Sequence, residues 1–271
     1  MLYNIHTHTE HSHDSQAKLD DLCEQALQKG LAGFAVTDHC DCECSGEPRA
    51  YTSLLDSWDD CQRAKALYVD RLTLACGVEI GEALYDRDFA RKVIAARPWD
   101  VVLGSVHAVR VEGWDAPFSI LNFTDCGDAF IRDYLRQYFD DLYEMAATED
   151  YDVLCHLTVP LRYICSRYGK QVDITEYYPQ IEKVLRLTVR LDKTLEINTA
   201  GSVSGSPRFI PDEAILDMYL ALGGSNLTVG SDAHQADRLT NGLADAAALL
   251  RRKGITELTY YLQREPVRYS L

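Results

Sequence analysis

The sequence predicts an α/β barrel of parallel strands, with a metal site at the C-terminal ends of those strands. Seven apolar runs of strand length alternate with amphipathic segments of helical length. Most of these runs end on a histidine or an acid. No internal repeat, linker or low-complexity stretch interrupts the alternation. Strand–helix–strand units of this kind form parallel sheets with right-handed crossovers. An open sheet would spread its edge strands too far apart to share one site, so ligands drawn from nearly every strand favour closure. A closed barrel gathers its strand ends at one face, where active sites sit.

The first strand, residues 3–5, runs into His6-Thr7-His8, with His11, His13 and Asp14 just downstream. Residues 18–29 form a helix with Leu19, Leu22, Cys23, Ala26 and Leu27 on one face and Gly30 as its stop. The strand at 33–36 leads into Thr37-Asp38-His39, and a helix follows over 53–69. The strand at 72–78 ends on Glu79, ahead of a helix at 86–96. The strand at 101–106 delivers His107. The helix at 124–147 spaces its aromatics, Tyr134 to Tyr143, for core packing rather than base stacking. The strand at 153–155 delivers His156, followed by a helix at 173–191 and a strand at 194–197. Pro211-Asp212-Glu213 reads as the start of a helix over 211–222, with proline in the first turn and acids near the positive end of the dipole. The strand at 227–229 leads to Ser231-Asp232-Ala233-His234, and a helix spans 237–253 with Gly254 after it. The tail, 257–271, reads as a small hairpin turning at Arg264-Glu265.

At 271 residues the chain is long enough for one barrel domain over 1–271. A net charge of −15 argues against a broad nucleic-acid surface, which needs clustered lysine and arginine. Bound divalent cations would offset that charge locally. The nine cysteines are an odd, scattered set in a chain too large to need disulfide staples, so they read as reduced thiols of a cytoplasmic protein. No run is long and apolar enough to span a bilayer, and the N-terminus enters a strand without an export leader.

Imidazole and carboxylate are ligands that borderline divalent metals accept. His6 and His8, two apart on a strand, point to one face and can share an ion; Asp232 and His234 repeat that spacing. A single histidine is more often a hydrogen-bonded core residue than a ligand. Seven of the eight histidines in or near strand-end motifs make a site the better reading. Cys40-Asp41-Cys42-Glu43-Cys44 places alternating thiols on one face, but a zinc site of this type needs a second ligand pair, and Cys23 and Cys61 are unconvincing partners. A loop of small polarisable residues is the expected reading there.

The ordered set His6-Thr7-His8-Thr9, Thr37-Asp38-His39, Gly77-Val78-Glu79, Gly104-Ser105-Val106-His107, Cys155-His156, Glu196-Ile197-Asn198-Thr199 and Gly230-Ser231-Asp232-Ala233-His234 resembles the PHP (polymerase and histidinol phosphatase) family over nearly the whole chain. The resemblance implies a distorted (β/α)7 TIM-like barrel carrying up to three divalent ions: zinc, manganese, iron or cobalt. It implies that His6 and His8 bind the first ion, with Glu79 and Asp232 shared or adjacent. Glu79, His107 and His156 would hold the second. His39, His234 and Asp14 would hold the third, with His13 the alternative to Asp14.

The phosphatase branch of the family is the more similar one, through Cys155-His156 and the following Leu161-Arg162-Tyr163. Arg162 is the expected phosphate contact. The family's basic residue after Gly201 is displaced here, so that Arg208 is the first cation available. Asp14, His13 or a water on the third ion would protonate the leaving alkoxide. The implied activity is hydrolysis of a small phosphate monoester, foremost L-histidinol phosphate. A PHP-type phosphodiesterase or nuclease, and a metal-binding protein without turnover, are the competing expectations.

Overall fold

The computed structural model describes residues 1–42, 48–111, 116–201 and 209–271, and only the backbone of 48–50. Glu43, Cys44 and Arg208, with residues 202–207 before it, lie outside the described residues.

Parallel strands run in the order β1 (Tyr3–Asn4), β2 (Gly33–Val36), β4 (Thr73–Gly81), β5 (Val101–Ser105), β6 (Val153–Leu154), β7 (Thr194–Asn198) and β8 (Leu227–Gly230). A short β3 (His39–Asp41) takes up the line of β2 after a break at Thr37-Asp38 and pairs with the end of β4, His39 opposite Glu79. Backbone hydrogen bonds carry β8 back to the first stave. Ile5 N donates to Val229 O at 3.0 Å, Asp232 N to His6 O at 2.9 Å and His8 N to Ala233 O at 2.9 Å. Seven staves therefore close, and every strand end faces the same opening.

Two-sided burial explains the near-continuous apolar strands. Ile5, Ala35, Ala75, Val101, Leu103, Val153 and Cys155 fill the barrel interior. Leu74, Cys76, Val78 and Ile80 of β4 belong instead to the outer core beneath the helices. The two-residue period that turns Ala75 inward also turns Glu79 inward, near the mouth. Strand β4 runs on to Gly81, two residues past Glu79, rather than stopping short of it.

The helices are α1 (Leu19–Lys29), α2 (Pro48–Leu67), α3 (Arg87–Ala96), α4 (Asp128–Thr148), α5 (Tyr178–Arg190), α6 (Glu213–Ala221) and α7 (Leu243–Arg252). Several boundaries differ from expectation for local reasons. Asp212, not Pro211, organises the start of α6: its carboxylate accepts Ile215 N at 3.0 Å, which leaves the proline ahead of the cap. Gly242, at φ +71°, precedes α7 and separates it from the short 3-10 turn Ala236–Arg238. In α4, Tyr134, Leu135, Tyr138, Phe139 and Leu142 are buried, as their spacing implied.

The tail is the expected hairpin, β9 (Glu257–Leu262) and β10 (Glu265–Ser270), but it turns at Gln263-Arg264, one residue earlier than expected. Both turn residues adopt positive φ, 54° and 65°, the geometry that two-residue hairpins favour. Asp100 holds them there: its carboxylate accepts Gln263 N and its carbonyl accepts Arg264 N, each at 2.9 Å. Arg264 pairs with Asp150 at 2.7 Å and Asp152 at 2.6 Å. Tyr261 enters the inner cluster, its hydroxyl 2.8 Å from Thr194 Oγ1, and so plugs the N-terminal end of the barrel.

Candidate metal centre

Glu79 is the hub of the mouth. It is fully buried, and its two oxygens face five imidazoles. Oε1 lies 2.7 Å from His156 Nε2 and 3.1 Å from His107 Nε2. Oε2 lies 3.0 Å from His39 Nδ1, 3.2 Å from His6 Nε2 and 3.6 Å from His8 Nε2. Asp232 Oδ1 closes one side, 3.3 Å from His8 Nε2 and 3.8 Å from His6 Nε2. Asp14 closes another, 3.1 Å from His234 Nε2 and 3.7 Å from His39 Nε2. Thus the nine expected ligands converge. His13 does not join them: its side chain is 68% exposed and its ring lies 3.7 Å from Asp41. His11 sits apart, beside Asp60.

A second layer orients the rings. His6 Nδ1 lies 2.9 Å from Glu196 Oε1, and the other oxygen of Glu196 accepts His156 N at 2.8 Å. His107 Nδ1 lies 3.0 Å from Asp41. His8 Nδ1 lies 3.1 Å from Ser12 Oγ, which donates to Asp38; that carboxylate also accepts from Thr9 and Ser57. Carboxylates behind metal-binding imidazoles fix tautomer and raise basicity. Asn4, also buried, accepts from His6 N and Ser231 N and donates to Ser231 Oγ and Leu239 O. Sequence reasoning missed Asp41 and Asn4. Asp41 stands in the stretch that the sequence reads as a loop of small polarisable residues, and Asn4 precedes the first candidate ligand by two residues, the spacing of a shared strand face.

The electrostatics favour a cation. Burial opposes charge on His6, yet Glu196, Glu79 and Asp232 outweigh it and raise its pKa well above the usual imidazole range. His107 is raised in the same way despite burial, by Glu79 and Asp41, and His39 to about 9 by the same two acids. Burial and the neighbouring His39 and His234 push His8 down to about 3. Glu79 resists burial too, its carboxyl held well below the usual range by His6, His107 and His39. His39 Nδ1 and His234 Nε2 lie 3.0 and 3.1 Å from carboxylate oxygens, yet neither makes a hydrogen bond. Spacing of this kind suits a shared metal ion.

Donor atoms fall into overlapping groups within 4.8 Å: His6, His8 and Asp232; His6, Glu79, Cys155 and His156; His39, Glu79 and His107; His8, His39 and His234. Two ligand candidates stand on left-handed backbone, His156 at φ 24° and Asp232 at φ 53°. The paired thiols Cys40 and Cys42 are buried in the outer core rather than exposed at the mouth.

A cavity of about 350 Å³ opens over the cluster, walled by Pro117, Phe118, Val159 and Tyr163. Arg162 enters it from a π-helical turn, Arg162–Arg167, with Nη1 4.0 Å from Asp232 Oδ2. Arg238 also lines it and was not expected; its position four residues after His234 was the available signal. No helix among the described residues is long and apolar enough to cross a membrane.

A closed parallel barrel with a glutamate-centred histidine cluster at its mouth is the architecture the sequence motifs implied. Residues 4–200 match the PHP domain model, and the chain belongs to the PHP domain family. It is 28% identical over 257 residues to a probable histidinol-phosphatase of Thermotoga maritima, across 93% of this chain and 92% of that protein. It is 26% identical over 266 residues to a histidinol-phosphatase of Lactococcus lactis, across 95% and 93%. A crystal structure of histidinol phosphate phosphatase from Lactococcus lactis, complexed with zinc, L-histidinol and phosphate, shares the fold at a TM-score of 0.81 and 23% identity over 98% of both chains.

Proposed function

We propose that this protein is a metal-dependent phosphatase that hydrolyses L-histidinol phosphate to L-histidinol and phosphate. The observation that carries the reading is the carboxylate-centred cluster opening into a cavity in which Arg162 stands 4.0 Å from Asp232. The relatives that match this chain along nearly its whole length are named for that activity.

His6, His8, Glu79 and Asp232 would hold one ion, Glu79, His107 and His156 a second, and His39, His234 and Asp14 a third. Zinc is the metal of the Lactococcus structure; manganese, iron and cobalt suit the same donors. When bound, such ions lower the pKa of water and neutralise phosphoryl charge. Glu79, at the centre, would keep the ions together. Glu196 and Asp41 fix the His6 and His107 rings. Arg162 would clamp a phosphoryl oxygen with a charge-assisted hydrogen bond, and Arg208 is the further candidate for this role. Asp14 is held ionised by His234 and His39 despite partial burial. His13, exposed at the cavity, is then the better placed of the two to protonate the leaving alkoxide. Residues 1–271 act as one domain in this reading, since the terminal hairpin plugs the barrel that carries the site. The free cysteines among the described residues suit a reducing cytoplasm.

The test is steady-state hydrolysis by zinc- or manganese-loaded protein. L-histidinol phosphate should exceed every other monoester in kcat/KM. Even, weak rates across the monoesters would remove this substrate, and selective cleavage of a diester would shift the reading to a phosphodiesterase. Glu79→Gln should lose both metal and activity; retention of both would refute the central role of Glu79.

A further inference from the structure

We infer that Arg238 is a second phosphate-binding cation, facing the same ligand as Arg162 from the loop after β8. The inference deepens the phosphatase reading and rests on it for the identity of the ligand. Histidines aside, Arg162 and Arg238 are the cationic side chains among the described residues that line the cavity. Arg162 is partly engaged by Asp232 at 4.0 Å. Arg238 pairs with no carboxylate among the described residues. In a protein with a net charge of −15, an arginine left without an acid at a ligand cavity is available to an incoming anion.

The loop that carries Arg238 is fastened to the barrel on both sides. Arg238 N donates to Gln235 O at 3.0 Å inside the turn Ala236–Arg238. The next residue, Leu239, is buried, and its carbonyl accepts Asn4 Nδ2 at 2.8 Å. That same Asn4 side chain accepts from His6 N and Ser231 N, so one buried amide couples the arginine loop to the strand ends that bear the cluster. Beyond it, Asn241 O accepts Thr199 Oγ1 at 2.5 Å, and a Cβ on Gly242 would come within 2.7 Å of Thr199 Cβ. The backbone under Arg238 is therefore held in place before any ligand arrives, which is what productive positioning requires.

The class of ligand follows from charge. A phosphate monoester of an amino alcohol offers one anionic group, the phosphoryl dianion, while its ammonium would be repelled by a guanidinium. The planar fork of arginine matches phosphoryl oxygens. The alcohol portion is left to the wall of Pro117, Phe118, Val159 and Tyr163.

The test is calorimetric binding of inorganic phosphate to zinc-loaded wild type, Arg238→Ala and Arg238→Lys, with metal content measured on each, alongside inhibition by L-histidinol. Arg238→Ala should weaken phosphate about tenfold at unchanged metal content, and Arg238→Lys should recover part of the loss. Inhibition by L-histidinol should stay within about twofold of wild type, the usual scatter between variants that keep a contact. Unchanged phosphate affinity in Arg238→Ala, or equal weakening of phosphate and L-histidinol, would overturn the assignment. The binding readout separates the two readings: if the protein fails to turn over L-histidinol phosphate but Arg238→Ala still weakens phosphate, the substrate is wrong and the role of Arg238 stands.

Discussion

Loading the cluster with metal should expel protons, in a number set by the electrostatics of the metal-free site. An imidazole binds metal only in its neutral form. In the metal-free protein, acids that outweigh burial hold His6 and His107 well above the usual imidazole range, His39 at about 9, and His234 also raised. A group with a pKa two units above the solution pH is roughly 99% protonated, so His39 is charged at pH 7. His8, down at about 3, is already neutral, and Glu79, Asp232 and Asp14 are already ionised; these give up nothing. Saturation with zinc at pH 7 should therefore release roughly three to four protons per chain, and the overall binding constant for the full complement of ions should rise with pH while these imidazoles stay charged. Calorimetric titrations in buffers of different ionisation enthalpy give the proton count directly. Release of fewer than about one proton at pH 7, or a count that does not decline by pH 9.5, would refute the account of how Glu79 charges its histidines.

The same shifts fix the pH profile of the metal-free fold. Raised imidazoles stabilise it below about pH 6.5, and that contribution is lost as pH climbs through the folded-state values, about 9 for His39. The metal-free Tm should fall between those limits in scanning calorimetry while the zinc-loaded Tm does not. Arg162→Ala should lower kcat/KM on a phosphate monoester about 10- to 100-fold, mainly through KM, with normal metal content by elemental analysis. In Gly230→Ala the new Cβ would meet Glu196 Oε1 at 2.0 Å and His6 Cβ at 2.6 Å. Displaced from His6, Glu196 should cost about 10- to 100-fold in metal affinity, read by competition with a chelator. Tyr261→Ala should destabilise the fold by on the order of 3–5 kcal/mol in denaturant melts yet leave the rate per bound metal unchanged.

The barrel was legible because a parallel strand buried on both faces is written as a continuous apolar run, and seven such runs stand out between amphipathic stretches. The cluster was legible because a closed barrel brings its strand ends together whatever their distance in sequence. His6 and Asp232, 226 positions apart, needed no more than that rule. What stayed hidden depends on side-chain direction rather than on residue type. Asp41 looks like any loop acid until β3 sets it against the far side of His107. Arg238 looks like any surface arginine until Asn4 draws its loop over the mouth. Asp14 faces His234 while His13 stays exposed because of which neighbour the chain points inward after the Thr9–Ser12 turn, where one position of sequence reverses the direction. The hairpin slipped by one residue for a similar reason: Asp100, distant in sequence, selects which pair occupies the bend.

His156 and Asp232 hold conformations that glycine or asparagine would accept more cheaply, each at a cost of order 1–3 kcal/mol. A library of variants sorted for heat resistance alone, in the presence of chelator, should thus drift toward glycine at both positions and toward apolar replacements for Glu79. Its survivors would be sturdier barrels with nothing left at the mouth to hold a metal. The site persists only under a selection that scores what the protein does, which makes thermal ranking by itself a poor guide for anyone improving this chain.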